Sequence, residues 1–89
     1  MVFLAILLPT AVFAGTPVKG VVNDATGYPL IGVMVYEPGT SNGTMTDIDG
    51  NYELTVSSDK ATISFSLMGY LEHTENVAGR TVINATLQD

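Results

Sequence analysis

The chain contains no cysteine and no tryptophan, a single histidine, and only three cations, Lys19, Lys60 and Arg80. Each shortage removes a class of function. Without cysteine there is no disulfide, no thiolate zinc site and no thiol nucleophile, so stability has to come from packing alone. Three scattered cations against nine acids leave a net charge of −6 at pH 7. That balance cannot build the basic face that neutralises phosphates, which argues against nucleic acid as a partner, and an anionic membrane surface repels the chain for the same reason. The lone imidazole, His73, cannot supply the ligand cluster of a zinc hydrolase. It stands in Glu72-His73-Thr74-Glu75, where an exposed polar strand is expected. Ser57, Ser58, Ser64 and Ser66 lie outside any Gly-x-Ser-x-Gly string, so there is no nucleophile elbow. The residues offer no catalytic set, no metal site and no cofactor site, and the expectation is a protein that is not an enzyme.

What is present points to one globular domain. In 89 residues, 46% are hydrophobic and 13% charged, far from the composition that keeps a chain disordered and enough for one core but not two. Residues Val2 to Ala14 form an uncharged apolar run, shorter than the about 20 residues a membrane-crossing helix needs and matching the apolar region of a signal peptide. Val12-Phe13-Ala14 offers modest side chains at a cleavage site, so residues 1–14 are expected to be an export leader and the domain to begin at Gly15, although no Lys or Arg precedes the apolar run. A lipoprotein would need a cysteine there.

Beyond the leader the pattern is that of strands. Tyr52, Leu54 and Val56 alternate with polar residues, as do Ala61, Ile63, Phe65 and Leu67, and again Ile83, Ala85 and Leu87; this period of two places one face of each strand on a core. Ile31 to Tyr36 is apolar on both parities, which predicts a strand covered on both faces or at a sheet's centre. Thr26-Gly27, Pro38-Gly39, Asn42-Gly43, Asp49-Gly50 and Ala78-Gly79 punctuate these runs, and Asp-Gly is the strongest short signal for a type I′ hairpin turn. Strands are predicted near 17–23, 31–37, 43–47, 51–57, 61–67, 70–77 and 81–88. About seven short strands, each with one apolar face, call for a two-layer antiparallel β-sandwich of the immunoglobulin/transthyretin-like kind. A membrane barrel is excluded, because even eight strands of about 10 residues exceed the chain left after the leader.

Three features come closest to a site. The acidic turn Thr46-Asp47-Ile48-Asp49-Gly50-Asn51 has carboxylates two apart before a glycine, but glycine arrives too early for a helix-loop-helix calcium loop, and Asp47 capping its own loop's amides is expected instead. Asn42-Gly43-Thr44 and Asn84-Ala85-Thr86 are glycan acceptors only in a eukaryotic secretory pathway. Of the rings Tyr28, Tyr36, Tyr52 and Tyr70, only Tyr28 falls in a turn; the others are expected to pack in or beside the core.

Read from Val18, the string VKGVVNDATGYPLIGVMVYEPGTSNGTMTDIDGNYELTV resembles the carboxypeptidase-regulatory-like domain, in the version that opens the SusC/RagA class of TonB-linked outer-membrane receptors of Bacteroidota. The resemblance continues through Phe65-Ser66, Gly69-Tyr70, Val77 with Gly79, and Ile83 to Leu87. It implies structural roles for Gly20, Asp24, Gly27, Pro29, Leu30 and Gly32 and for the Thr46-Asp47-x-Asp49-Gly50 corner. It also implies a domain that follows the signal peptide and lies in the periplasm of a Gram-negative bacterium, ahead of a plug and a barrel importing oligosaccharides or peptides with a surface lipoprotein. The sequence carries no TonB-contacting segment, plug or barrel, so a fragment of such a receptor, or a truncated gene, is expected. Contacts to the rest of the receptor or to other envelope proteins would fall on Asp47, Asp49 and exposed strand edges. Two other readings are an exported carbohydrate-binding or adhesive sandwich using Tyr28, and the accessory sandwich of a metallocarboxypeptidase. Chain order speaks against the second, since there the catalytic domain comes first.

Overall fold

The computed structural model describes residues 15–89; the predicted leader, residues 1–14, lies outside them. Seven strands follow one another: β1 Thr16–Asp24, β2 Met34–Tyr36, β3 Gly43–Met45, β4 Asn51–Val56, β5 Thr62–Ser66, β6 His73–Asn76 and β7 Ala85–Leu87. They make a sandwich of two sheets, one ordered β4-β1-β7 and the other β3-β2-β5-β6. The alternation in β4 acts as its period requires: Tyr52, Leu54 and Val56 are buried while Asn51, Glu53 and Thr55 face solvent. Facing them across the core are Val33, Val35, Ile63 and Phe65, with Val18, Val22, Ile83 and Leu87 completing it. Phe65 meets Tyr52 edge-on, ring centres 5.5 Å apart, the geometry that aromatic quadrupoles prefer.

Of the two expectations for Ile31 to Tyr36, the structure shows the second: β2 lies inside its sheet, paired with both β3 and β5, and is not covered on both faces. Val33 and Val35 are fully buried, but Met34 and Ile31 are exposed, because a two-layer sandwich leaves each sheet an outer face and no third layer among the described residues covers β2. Its strand is also shorter than the apolar run, since Gly32 turns the chain at φ +80°. The predicted 70–77 strand likewise begins only at His73: Leu67 to Tyr70 closes a turn through Tyr70 N–H to Leu67 O at 3.0 Å, and Leu71 N–H crosses to Gln88 O at 2.7 Å.

Four of the five strand pairings are antiparallel; β1 and β7 run parallel, a relation that alternation alone does not specify. That ladder is broken once. Lys19 N–H bonds Thr81 O at 3.0 Å and Ile83 N–H bonds Lys19 O at 2.9 Å, but Val21 N–H takes the side-chain Oδ1 of Asn84 at 2.9 Å. Asn84 therefore supplies with its amide the acceptor that the backbone does not present, in the manner of a bulge. The two strands approach so closely there that Gly20 faces the Ile83 carbonyl with no room for a side chain.

The Asp49-Gly50 turn is not type I′. Gly50 holds φ +79°, but among the described residues only Ala78 is a non-glycine with positive φ. Nor does it join a hairpin: β3 and β4 lie in different sheets, so the turn is a corner that carries the chain from one layer to the other. The signs of a type I′ turn instead appear at Ala78-Gly79, with φ of 48° and 75° and Arg80 N–H on Val77 O at 2.9 Å. A Cβ in the left-handed region costs about 1–2 kcal/mol, less for asparagine. Ala78 is exposed. Ala78→Asn is therefore expected to raise stability by about 0.5–1 kcal/mol, read as a higher urea midpoint at unchanged slope.

Candidate functional site

Two loops at one end of the sandwich share one wiring. In Asp24-Ala25-Thr26-Gly27-Tyr28, Asp24 N–H bonds Tyr28 O at 2.8 Å and Gly27 N–H bonds Asp24 O at 3.0 Å. In Asp47-Ile48-Asp49-Gly50-Asn51 the same two bonds measure 3.0 and 2.9 Å. The aspartate carboxylate closes each loop. Asp24 Oδ1 accepts from Thr26 N–H at 2.8 Å, Tyr28 N–H at 2.9 Å and the Thr26 hydroxyl at 2.7 Å. Asp47 Oδ1 accepts from Asp49 N–H and Asn51 N–H, both at 2.9 Å. This is the Asx cap expected for Asp47. At Asp24 the Thr26 hydroxyl, then the Tyr28 amide, hold the carboxyl below its usual range. Both carboxylates thus work on their own backbone. Among the described residues no three His, Asp or Glu side chains converge as metal ligands.

The opposite end is closed by a residue the sequence reading passed over. Glu37, just after β2, is buried with only 6% of its surface exposed, although no cation touches it. Its Oε1 accepts from Ser57 N–H at 3.1 Å and Asn42 Nδ2 at 3.2 Å, and its Oε2 from the Ser57 hydroxyl. Asn42 Nδ2 also reaches Thr55 O at 2.7 Å. The group ties the end of β2 in one sheet to the end of β4 in the other, and Asn42, one of the two glycan-type asparagines, has its amide engaged inside it. The Ser57 hydroxyl outweighs the effect of burial and lowers the Glu37 carboxyl from its ordinary 4.5. A lowered carboxylate contributes stability above its unfolded value that is lost as pH falls through the folded one. Wild-type stability is thus expected to drop below about pH 4.5, and Glu37→Gln to cost about 1–2 kcal/mol at pH 7 while flattening that drop. Urea midpoints of both proteins from pH 3 to pH 7 check it, against the same-signed background from Asp24 and Glu75.

His73 lies on edge strand β6, partly exposed, with Nε2 2.8 Å from Glu75 Oε2; Arg80 holds the other Glu75 oxygen at 2.9 Å. Of the serines weighed as nucleophiles, Ser64 is buried beside the Thr74 hydroxyl at 2.9 Å and Ser57 serves Glu37; neither has an imidazole against it. Tyr52 is in the core with its hydroxyl on Ile83 O at 2.7 Å, and burial pushes its phenol up to about 12. Tyr36 donates to Glu72 on the outer face, Tyr70 packs on the core rim, and Tyr28 stands free in its turn. Three of the sheet edges named as contact candidates are short, β3 and β7 with 3 residues each and β6 with 4, while the fourth, β4, has 6. The short edges offer little to an added strand, and β4 is the longest edge open to one.

A sandwich with Asx-closed Asp-x-x-Gly corners, a glycine pressed against a parallel segment and no convergent reactive groups among the described residues finds its match in known proteins. The CarboxypepD_reg-like domain model matches residues 18–88. The chain belongs to that family. Among full-length relatives, a TonB-dependent receptor, SusC, of Bacteroides thetaiotaomicron is 42% identical over 72 residues, 81% of this chain. The TonB-dependent receptor P39 of Formosa agariphila is 36% identical over 75 residues, 84% of this chain. In each case the match spans 7% of the relative's length. Among solved structures, a chain of a type II cohesin–X-dockerin complex from Acetivibrio cellulolyticus superposes with a TM-score of 0.62 at 27% identity, covering 81% of this chain and 53% of that one. Within this CarboxypepD_reg-like domain the quoted glycines and aspartates have physical duties now visible: Gly20 and Gly50 for close approach, Asp24 and Asp47 for closing corners.

Proposed function

We propose that the chain is the non-catalytic accessory sandwich of a TonB-dependent outer-membrane receptor, exported by residues 1–14 and lying on the periplasmic side of a plug and barrel that import oligosaccharides or peptides. The observation that carries this reading is the 42% identity to a TonB-dependent receptor over 81% of the chain but 7% of the receptor. So small a share of a receptor cannot be its conduit, and polar groups engaged in corners and inter-sheet ties suit support or relay better than chemistry. The test is to excise the codons for residues 15–89 from the receptor gene that carries them, keeping the leader. The receptor should still reach the outer membrane and bind its nutrient at the surface, while uptake falls severalfold. Unchanged uptake would remove the accessory role.

One observation favours a second reading. Tyr28 is 71% exposed on a turn whose backbone is held by Asp24, a position from which an aromatic face can stack on a sugar. Glycan-array binding by the exported chain, lost in Tyr28→Ala, would place sugar recognition ahead of the receptor role.

A further inference from the structure

The surface is strongly polarised. β1 and β7 end, and β4 begins, at the end of the sandwich that carries the two Asp-x-x-Gly loops. The Ser66↔Met34 register and the Leu71–Gln88 bond bring the 67–71 turn and the Ile31 segment to that same end. Gathered there are Tyr28, Ile31, Ile48, Met68 and Leu71, each more than half exposed, with Ile48 at 73% and Met68 at 95%. Large apolar side chains clustered at one end of a small soluble domain mark an interaction surface, whereas singly scattered ones do not. Their surroundings are charged with one sign. Asp24, Asp47 and Asp49 sit in the two loops and Asp89 follows β7. No cation of the described residues pairs with them: Lys60 and Arg80 occupy the opposite end, where Gly79 N–H bonds Asp59 O, and Lys19, which lines a groove that also takes in Asp47, lies midway along β1 opposite Glu53.

We propose that this end is a docking surface for a protein segment in which lysine or arginine side chains flank apolar ones. The apolar residues supply burial, and the acids, unmatched within their own surface, select the sign of the partner and steer its approach. A second copy docked end to end would oppose acids with acids, and anionic lipid is repelled for the same reason. The inference goes beyond the receptor reading and does not depend on it, since the partner is defined by chemistry alone.

A photocrosslinking amino acid at Ile48 or at Met68, compared with Ser58 at the opposite end and Thr81 on the flank beside Lys19, tests this in cells that express the full chain. The expected result is adducts from Ile48 and Met68 many times more abundant than from Ser58 and Thr81. Peptide sequencing should place them on a segment in which basic residues flank apolar ones. In the lysed envelope their yield should fall as sodium chloride is raised and should drop severalfold in Asp49→Lys, whose side chain closes no turn. Equal yields from both ends, no adducts, salt-independent adducts, or adducts on an acidic segment, on a second copy or on residues 1–14 would each overturn the proposal.

Discussion

Gly20→Ala is expected to cost about 3 kcal/mol or more, most of the stability of so small a domain. A Cβ on Gly20 would stand 2.0 Å from the Ile83 carbonyl oxygen and 2.7 Å from its carbon. Those atoms are backbone and cannot rotate aside. To make room, β1 and the 81–84 segment must separate, which gives up the Lys19–Thr81 and Ile83–Lys19 bonds and the Asn84 amide on Val21. Ile83, fully buried, would be drawn out of the core with them. Gly27→Ala is the comparator: its φ is +95° but nothing lies within 4 Å of its Cβ position, so it should lose only about 1–2 kcal/mol. Urea denaturation followed by circular dichroism separates the two. A Gly20→Ala midpoint at or above that of Gly27→Ala would contradict the close approach.

Gly50→Val should be comparably severe, for two reasons that add. Its φ of +79° resists any β-branched residue, and its Cβ would meet Val22 O at 2.6 Å and Pro29 Cβ at 3.1 Å. Gly50 is buried at the corner between the sheets, and its own carbonyl accepts Val22 N–H at 2.9 Å. Strain of about 1–2 kcal/mol from the backbone and about 1–3 kcal/mol from overpacking together approach the unfolding threshold. Asp49→Asn should leave the midpoint within error, because the Asp49 carboxylate closes no turn; only its amide does, to Asp47. Denaturing both variants with and without calcium separates a corner from a metal site. A calcium-dependent gain in the wild type that Asp49→Asn abolishes would establish the site and overturn the structural account.

Period-two alternation made the strands and most of the core readable, since Tyr52, Leu54, Val56, Ile63, Phe65, Ala85 and Leu87 are buried where the pattern places them. Alternation reports which face is apolar, not which strand lies beside which. The parallel β1–β7 pairing and the change of sheet between β3 and β4 therefore had no local signal. The Asp-Gly pair marked a turn correctly but not its type, because a corner between sheets needs only the glycine in the left-handed region, whereas a two-residue hairpin needs both residues there. Glu37 follows an apolar strand and precedes Pro38-Gly39, where a carboxylate ordinarily faces solvent. Its burial depends on Ser57, 20 residues away along the chain, and on Asn42, 5 residues away across the turn. The apolar end has a related cause: Tyr28, Ile31, Ile48 and the Met68 to Leu71 turn are separate stretches of the sequence, and only the topology collects them.

The family is legible in the order of turns and strands, and the role follows from whether these residues are one part of a receptor chain. Sequencing the gene beyond codon 89 in the source genome tests this most directly. The account predicts an open frame that continues into a plug and a barrel. A stop codon at that point, followed by an unrelated gene and with no displaced plug and barrel in another frame, would contradict it.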